Sequence, residues 1–138
     1  MESILLYGCE SWALTTSLGI SLDGTYTRML RKIYEVGWES HTTNAELYGS
    51  IPLVSSKIAA RRMRLAGHCY RHPELCTSKL VLWQPTHGRK DQGRPRQDYV
   101  ATLKSDTGAA DTGELATLMS DRVVWRTHVS ARLRTPWP

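Results

Sequence analysis

Phenylalanine is absent from this 138-residue chain, which excludes little, because five Trp and six Tyr can anchor a core. Cysteine is scarce. Three residues, Cys9, Cys69 and Cys76, make no disulfide framework, and their odd number fits a reducing compartment. The expectation is an intracellular protein of the nucleus or cytoplasm. No apolar run approaches the roughly 20 residues that a membrane span needs. The run at 4–7 is short and is preceded by Glu2 rather than a basic group, so neither a signal peptide nor a transmembrane helix is read. Catalytic signatures are missing too: there is no G-x-S-x-G elbow, H-E-x-x-H, Walker loop or dinucleotide fingerprint. The thirteen acids are scattered, and no pair is spaced to hold two metal ions. Asp106 and Asp111 flank a Gly-containing turn and read as solvated loop acids. The chain is therefore not expected to be an enzyme, nor to carry a cofactor.

What is present is concentrated positive charge. Residues 57–96 hold ten of the eighteen basic side chains against two acids, Glu74 and Asp91, a net +8 in a chain whose total is +5. Everything outside that stretch therefore sums to −3. Such a concentrated patch suits a polyphosphate partner, because neutralising several phosphates together releases condensed counterions.

The length fits one ordinary domain or two very small ones, and the 41% hydrophobic content supports a packed core. Residues 4–14 begin nearly uninterrupted in apolar character, as a buried strand or a helix; periodicity cannot arbitrate over so few positions. A chain that opens in this way looks like the tail of something larger. Residues 15–21 read as a polar joint. Over 22–33, Leu22, Tyr26, Met29, Leu30 and Ile33 form one helical face, with Thr25, Arg28, Arg31, Lys32 and Glu35 largely around the other. Thr43 and Glu46 stand at capping-box spacing ahead of a short helix through Tyr48, ended by Gly49 and Pro52. Ser55 or Ser56 can cap the next helix, which runs to about His72, where Pro73 forbids continuation. Ile58, Leu65 and Cys69 share its apolar face, and Arg61, Arg62, Arg64 and Arg71 cover most of the remainder. Gly67 marks close packing or a bend. Residues 80–83 suggest a short strand or extended segment, followed by a loop at 84–97 rich in Gly, Pro and Arg. Pro95 can open a helix through about Asp106. Thr112 is read as capping a helix over 113–119, and Ser120 or Asp121 as capping a last one carrying Val124, Trp125, Val129 and Leu133. The fold class expected is mainly α: a small helical bundle of about five helices with a short apolar N-terminal segment and a basic Gly/Pro/Arg loop.

Two chemistries deserve weighing. His68, Cys69, His72 and Cys76 lie within nine residues, with His87 downstream, and are ligand-type groups at short spacing. The spacing matches none of the paired C-x-x-C or H-x₃₋₅-H arrangements, so Cys69 reads as a small buried hydrophobe and no metal is expected. For nucleic acid, the helix offers Arg61, Arg62, Arg64 and Arg71, and the loop offers Arg89, Lys90, Arg94 and Arg96, guanidinium and ammonium groups suited to phosphates. Gly93-Arg94-Pro95 resembles the centre of a minor-groove AT-hook, although Gln92 stands where that motif has a preceding Arg.

In order along the chain come Leu6-Tyr7-Gly8-Cys9-Glu10-Ser11-Trp12, Leu30-Arg31, Thr43-Asn44 with Leu47-Tyr48-Gly49, and Arg61-Arg62 with Ala66-Gly67-His68 and Arg71. Then follow Trp83-Gln84-Pro85, His87-Gly88, Gly93-Arg94-Pro95-Arg96, and Asp121-Arg122 with Trp125-Arg126. Together, over almost the whole chain, these resemble the C-terminal part of the reverse transcriptases of non-LTR (LINE-type) retrotransposons. The resemblance implies that 1–50 is the end of the palm with thumb-like helices, and that 51–138 is a basic C-terminal helical extension, the two also readable as one continuous domain. It implies a helical thumb gripping template and primer, in a parent protein that would be an RNA-directed DNA polymerase. The palm's catalytic aspartates precede this region in that family, and no Tyr-x-Asp-Asp occurs here. What the resemblance carries over is nucleic-acid handling without polymerisation. Asp91 and Gln92 dilute a loop that is more basic in relatives, and the cysteines and His72 fall outside the shared pattern.

The expected function is thus a non-catalytic fragment of a retroelement reverse transcriptase that contacts template RNA or RNA–DNA duplex through the phosphate backbone. Its other partners would be the palm and fingers of the parent polymerase, with no membrane. The alternatives are a structural or interaction module whose patch docks on an acidic partner domain, and a decayed retroelement remnant without activity.

Overall fold

An 18-residue helix, Val54–Arg71, touches nearly every other element of the computed structural model, which describes residues 2–12, 14–84 and 98–134. The described residues form seven α-helices and no strand: α1 (Glu2–Leu5), α2 (Thr16–Ile33), α3 (Asn44–Tyr48), α4 (Val54–Arg71), α5 (Tyr99–Thr107), α6 (Thr112–Ser120) and α7 (Arg122–Leu133). Three 3-10 turns, at Cys9–Ser11, Trp38–Ser40 and Cys76–Lys79, join them. This is the small helical bundle expected, with seven helices among the described residues where about five were anticipated; of the ambiguous opening segment only the first residues are helix, in α1, and the rest is turn. None of these helices is long and apolar enough to cross a membrane.

The reason α4 lies at the centre is its sequence. Ile58, Ala59, Ala60, Arg62, Met63, Ala66, Gly67 and Cys69 are all buried, and at 100° per residue they sweep about 200° of its circumference. The small residues among them let neighbouring helices approach on several sides. Leu65, expected on that face, lies beyond its edge and is exposed.

At the N-terminal end of α4, Leu6 and Cys9 pack on Val54 and Ile58. Gly8, at φ 67°, makes the left-handed turn between α1 and the Cys9–Ser11 turn. The opening segment is only half core-like: Ile4 and Tyr7 are 84% and 85% exposed. The polar residues 15–21 turn out to be the first turns of α2. Thr15 Oγ1 caps that helix by accepting from Leu18 N–H at 3.3 Å. A side chain at Gly19 would just touch Ser55, so a residue that looks like a joint is where α2 runs against α4. The cap of α4 also differs from expectation. Neither Ser55 nor Ser56 caps it; Leu53 precedes the helix, and Asp23 from the middle of α2 accepts from Ser55 N–H (2.9 Å) and Ser55 Oγ–H (2.6 Å). A carboxylate from another helix thus satisfies an orphan donor of the first turn.

Leu30 of α2, Leu47 and Tyr48 of α3, and Leu53 form a second cluster. The Thr43–Glu46 capping box is formed as predicted, and the Thr43 backbone N–H holds the Glu46 carboxyl below its ordinary range.

The largest cluster lies around the C-terminal half of α4, where α5, α6 and α7 close over Met63, Ala66 and Cys69 with Leu103, Leu115, Met119, Trp125 and Val129. Asp98, Asp111 and Asp121 cap these three helices, and Gly108 (φ 79°) ends α5. Asp111 takes the capping role expected of Thr112. Residues 80–83 form turns rather than a strand, with Val81 buried and Leu80 and Trp83 exposed. The expected boundary at 50/51 falls just ahead of α4, the helix on which both halves pack. Pro95, anticipated at the start of α5, lies outside the described residues.

Gly67 is the tightest point. The Trp125 indole lies directly over it and donates Nε1–H to Met63 O at 2.9 Å. A Cβ there would overlap the indole ring nitrogen and come within 3.0 Å of Arg71 Nη1. Gly67→Ala should therefore destabilise the chain by about 1–3 kcal/mol in urea unfolding, against the gain of about 1 kcal/mol that Ala brings to an exposed helix position. A variant as stable as the wild type would show that α7 does not dock there.

Candidate nucleic-acid interface

Outside its buried arc α4 carries, beside the exposed Leu65, one polar stripe. Lys57, Arg61, Arg64, His68 and Arg71 recur at intervals of four, three, four and three residues, the spacing that keeps side chains on one face of an α-helix. The fourteen steps from first to last cover about 21 Å, on the order of six phosphate steps along one duplex strand.

The members of the stripe are not equivalent. Lys57 Nζ lies 2.9 Å from Glu2 Oε2 and 5.4 Å from the centroid of the Tyr26 ring. The Tyr26 hydroxyl donates to the same carboxylate oxygen at 3.1 Å, and the hydrogen bond from Lys57, foremost, holds the Glu2 carboxyl below its ordinary range. Arg61 Nη1 donates to Leu6 O (3.1 Å) and sits 4.0 Å from Glu10 Oε1. Arg64 is exposed and makes no ion pair with another described residue. His68 lies against His72, ring centroids 4.4 Å apart, and His72 Nδ1 is 2.8 Å from Glu74 Oε1. Arg71 Nη1 donates to Met119 O (2.8 Å) at the C-terminal end of α6. There a cation meets orphan carbonyls and the negative helix end, and no carboxylate among the described residues neutralises it.

Arg62 does not belong to the stripe. One step past Arg61 rotates it 100° into the buried arc, where it is 4% exposed. Its Nε and Nη2 donate to Asp106 Oδ2 at 3.1 and 2.6 Å, and its Nη1 donates to Trp12 O at 3.0 Å. Arg132 Nε approaches the other oxygen of Asp106 at 3.6 Å. The expectation that Arg62 faces phosphates is thereby corrected, because its guanidinium is enclosed and engaged on internal partners. Asp106, read as a solvated loop acid, is correspondingly a buried member of α5. The pairing of these two residues across 44 positions has no local sequence signal.

Arg89, Lys90, Arg94 and Arg96 lie outside the described residues. Cys69 is buried and Cys76 exposed, and among the described residues no three His, Cys, Asp or Glu side chains converge as metal ligands would.

A second cationic surface was not singled out from sequence. Arg28, Arg31, Lys32, Glu35, Val36 and Gly37 line a shallow concavity of about 340 Å³ at the end of α2. Its helical spacing was visible, but the regional charge sum, negative outside 57–96, hid it.

No protein-family model, no curated protein and no solved structure matches the chain.

The contrast between neighbouring arginines is directly measurable. Removing one partner from a buried pair costs about 3–5 kcal/mol, so Arg62→Met should lower unfolding stability by that amount. Arg64→Met should stay within about 0.5 kcal/mol of the wild type. Equal stabilities for the two variants in urea would contradict the assignment.

Proposed function

We propose that this chain binds RNA or RNA–DNA duplex through the phosphate backbone, using the exposed stripe of α4. We propose further that it does so as a non-catalytic, thumb-like and post-palm part of a non-LTR retrotransposon reverse transcriptase. The observation that carries the binding reading is that α4 buries a little over half of its residues and keeps Lys57, Arg61, Arg64, His68 and Arg71 together on the other side, Arg64 and His68 exposed and the other three half-buried. Arg64 stands at the centre with its charge unneutralised by a described residue. Arg61 and Arg71 flank it, each donating to a backbone carbonyl that fixes the side chain without removing its charge. Side chains held in this way lose less freedom on meeting a phosphate. The ordered series of family-like segments supports the retroelement reading and supplies the polymer class. The loop cations Arg89, Lys90, Arg94 and Arg96 would extend the same backbone-directed contact. Such binding reads no bases and is largely independent of sequence.

One observation favours a second reading, a module that docks on an acidic partner domain. Lys57 and Arg61 lie 2.9 and 4.0 Å from Glu2 and Glu10, so part of the stripe already faces protein carboxylates. Under that reading, charge reversal at Arg94 and Arg96 would impair assembly with the partner and leave RNA affinity unchanged.

Four to six engaged phosphates give a slope of roughly −4 to −5 for log affinity against log salt with a duplex. Titrating an RNA–DNA duplex with the full chain from low to physiological salt measures it. A slope near zero would refute the phosphate-directed reading.

A further inference from the structure

We propose that the end of α2 is a second nucleic-acid site, one that takes a short single-stranded segment by stacking a base on Trp38 while Arg28 and Lys32 hold its phosphates. This site shares no residue with the α4 stripe and does not depend on it.

Three observations converge here. The first is the concavity itself, where Gly37 forms part of the wall and three cations, Arg28, Arg31 and Lys32, rise from one turn of α2. The second is Trp38, next in the chain to Gly37, which is 83% exposed although it is one of the largest apolar groups available to the core. The third is that the turn presenting it is held in place. Ser40 Oγ and Ser40 N–H both donate to Gly37 O, and Arg31 Nη2 donates to Thr42 O (2.7 Å) and Asn44 Oδ1 (3.0 Å), tying the connection back to α2. An indole standing in water on a fixed turn, one residue along the chain from the wall of a cation-lined concavity, is a stacking platform for a base, which any of the four bases can use through its π-face. The cations that line the concavity supply the phosphate contacts.

The charge balance selects the ligand. Glu35 lines the concavity and Glu39 follows Trp38, so two carboxylates offset most of the three cations. Arg31 is already engaged with the loop. Arg28, whose Nε donates to Gly24 O of its own helix at 3.4 Å, and Lys32 are the two exposed cations, too few to hold a duplex by charge, whose bases are in any case stacked and closed to an indole. A single strand offers both an open base face and one or two phosphates. The contact should therefore be weakly salt-dependent, with a slope of about −0.7 to −1.4 for one or two phosphates.

The experiment uses the full chain and three probes: an octa-uridylate, an abasic strand of equal length, and an RNA–DNA duplex. Octa-uridylate should quench indole emission, and Trp38→Ala should abolish that quenching and weaken octa-uridylate binding on the order of 5- to 100-fold. Arg28→Gln with Lys32→Gln should weaken it further and flatten its salt dependence, whereas duplex affinity should be unchanged by any of the three substitutions. The abasic strand should bind weakly and without quenching. Octa-uridylate binding and quenching retained in Trp38→Ala, or an abasic strand bound as tightly as octa-uridylate, would overturn the site. Circular dichroism checks folding, and because Trp38 is exposed its removal leaves the core intact. Loss of duplex binding in Arg64 variants concerns the α4 stripe alone, so the two sites fail separately.

Discussion

Arg62 is the point at which the chain's distant segments are made to agree. Its guanidinium takes the Trp12 carbonyl from the N-terminal segment and the Asp106 carboxylate from α5, while Arg132 of α7 approaches the other oxygen of Asp106. Arg62 and Asp106 are enclosed while Arg132 stays about a third exposed, and a buried guanidinium is tolerable only where its donors find acceptors. The carbonyl of Trp12 supplies that acceptor for Arg62 Nη1, and so fixes where the N-terminal segment lies. The same geometry sets the rotation of α4. With Arg62 turned inward and Gly67 turned toward Trp125, the one arc left for solvent carries Lys57, Arg61, Arg64, His68 and Arg71. The proposed grip is thus a by-product of how the core is built, and cannot be rotated without breaking it.

Much of the fold was legible from local chemistry. The capping box at Thr43 and Glu46, the end of α4 before Pro73, and the Asp121 cap are signals in which the residues and their partners lie within four positions of one another. The errors have a common cause. The first turns of α2 look like a joint in the sequence because Gly19 and the serines have low helix propensity, and tertiary packing of Gly19 against Ser55 overrides it. The serines at the start of α4 suggest a local cap, whereas Asp23 supplies the acceptor from 32 residues away. Residues 80–83 looked like a strand because a short apolar run does not distinguish strand from turn.

The candidate site shows the same division. That α4 has a cationic outer side was readable from spacing, but which arginines occupy it was not. Arg61 and Arg62 are adjacent and chemically identical, and only the burial of Asp106 distinguishes the one that pairs internally from the one that faces out. Counting charge by region found the basic stretch and missed the cluster of Arg28, Arg31 and Lys32, whose surroundings are acidic in sum and cationic only on one side of α2. Charge becomes a surface only after the helices have chosen which faces to bury.

The most direct test of this account is the affinity of the full chain carrying Arg64→Glu for an RNA–DNA duplex at moderate salt, measured together with its unfolding midpoint. The account predicts an affinity lowered by at least about tenfold with an unchanged midpoint, because Arg64 is exposed and contributes nothing to the core. Unchanged affinity in a folded variant would contradict it, and would move the positive face of α4 from gripping phosphate to docking on protein.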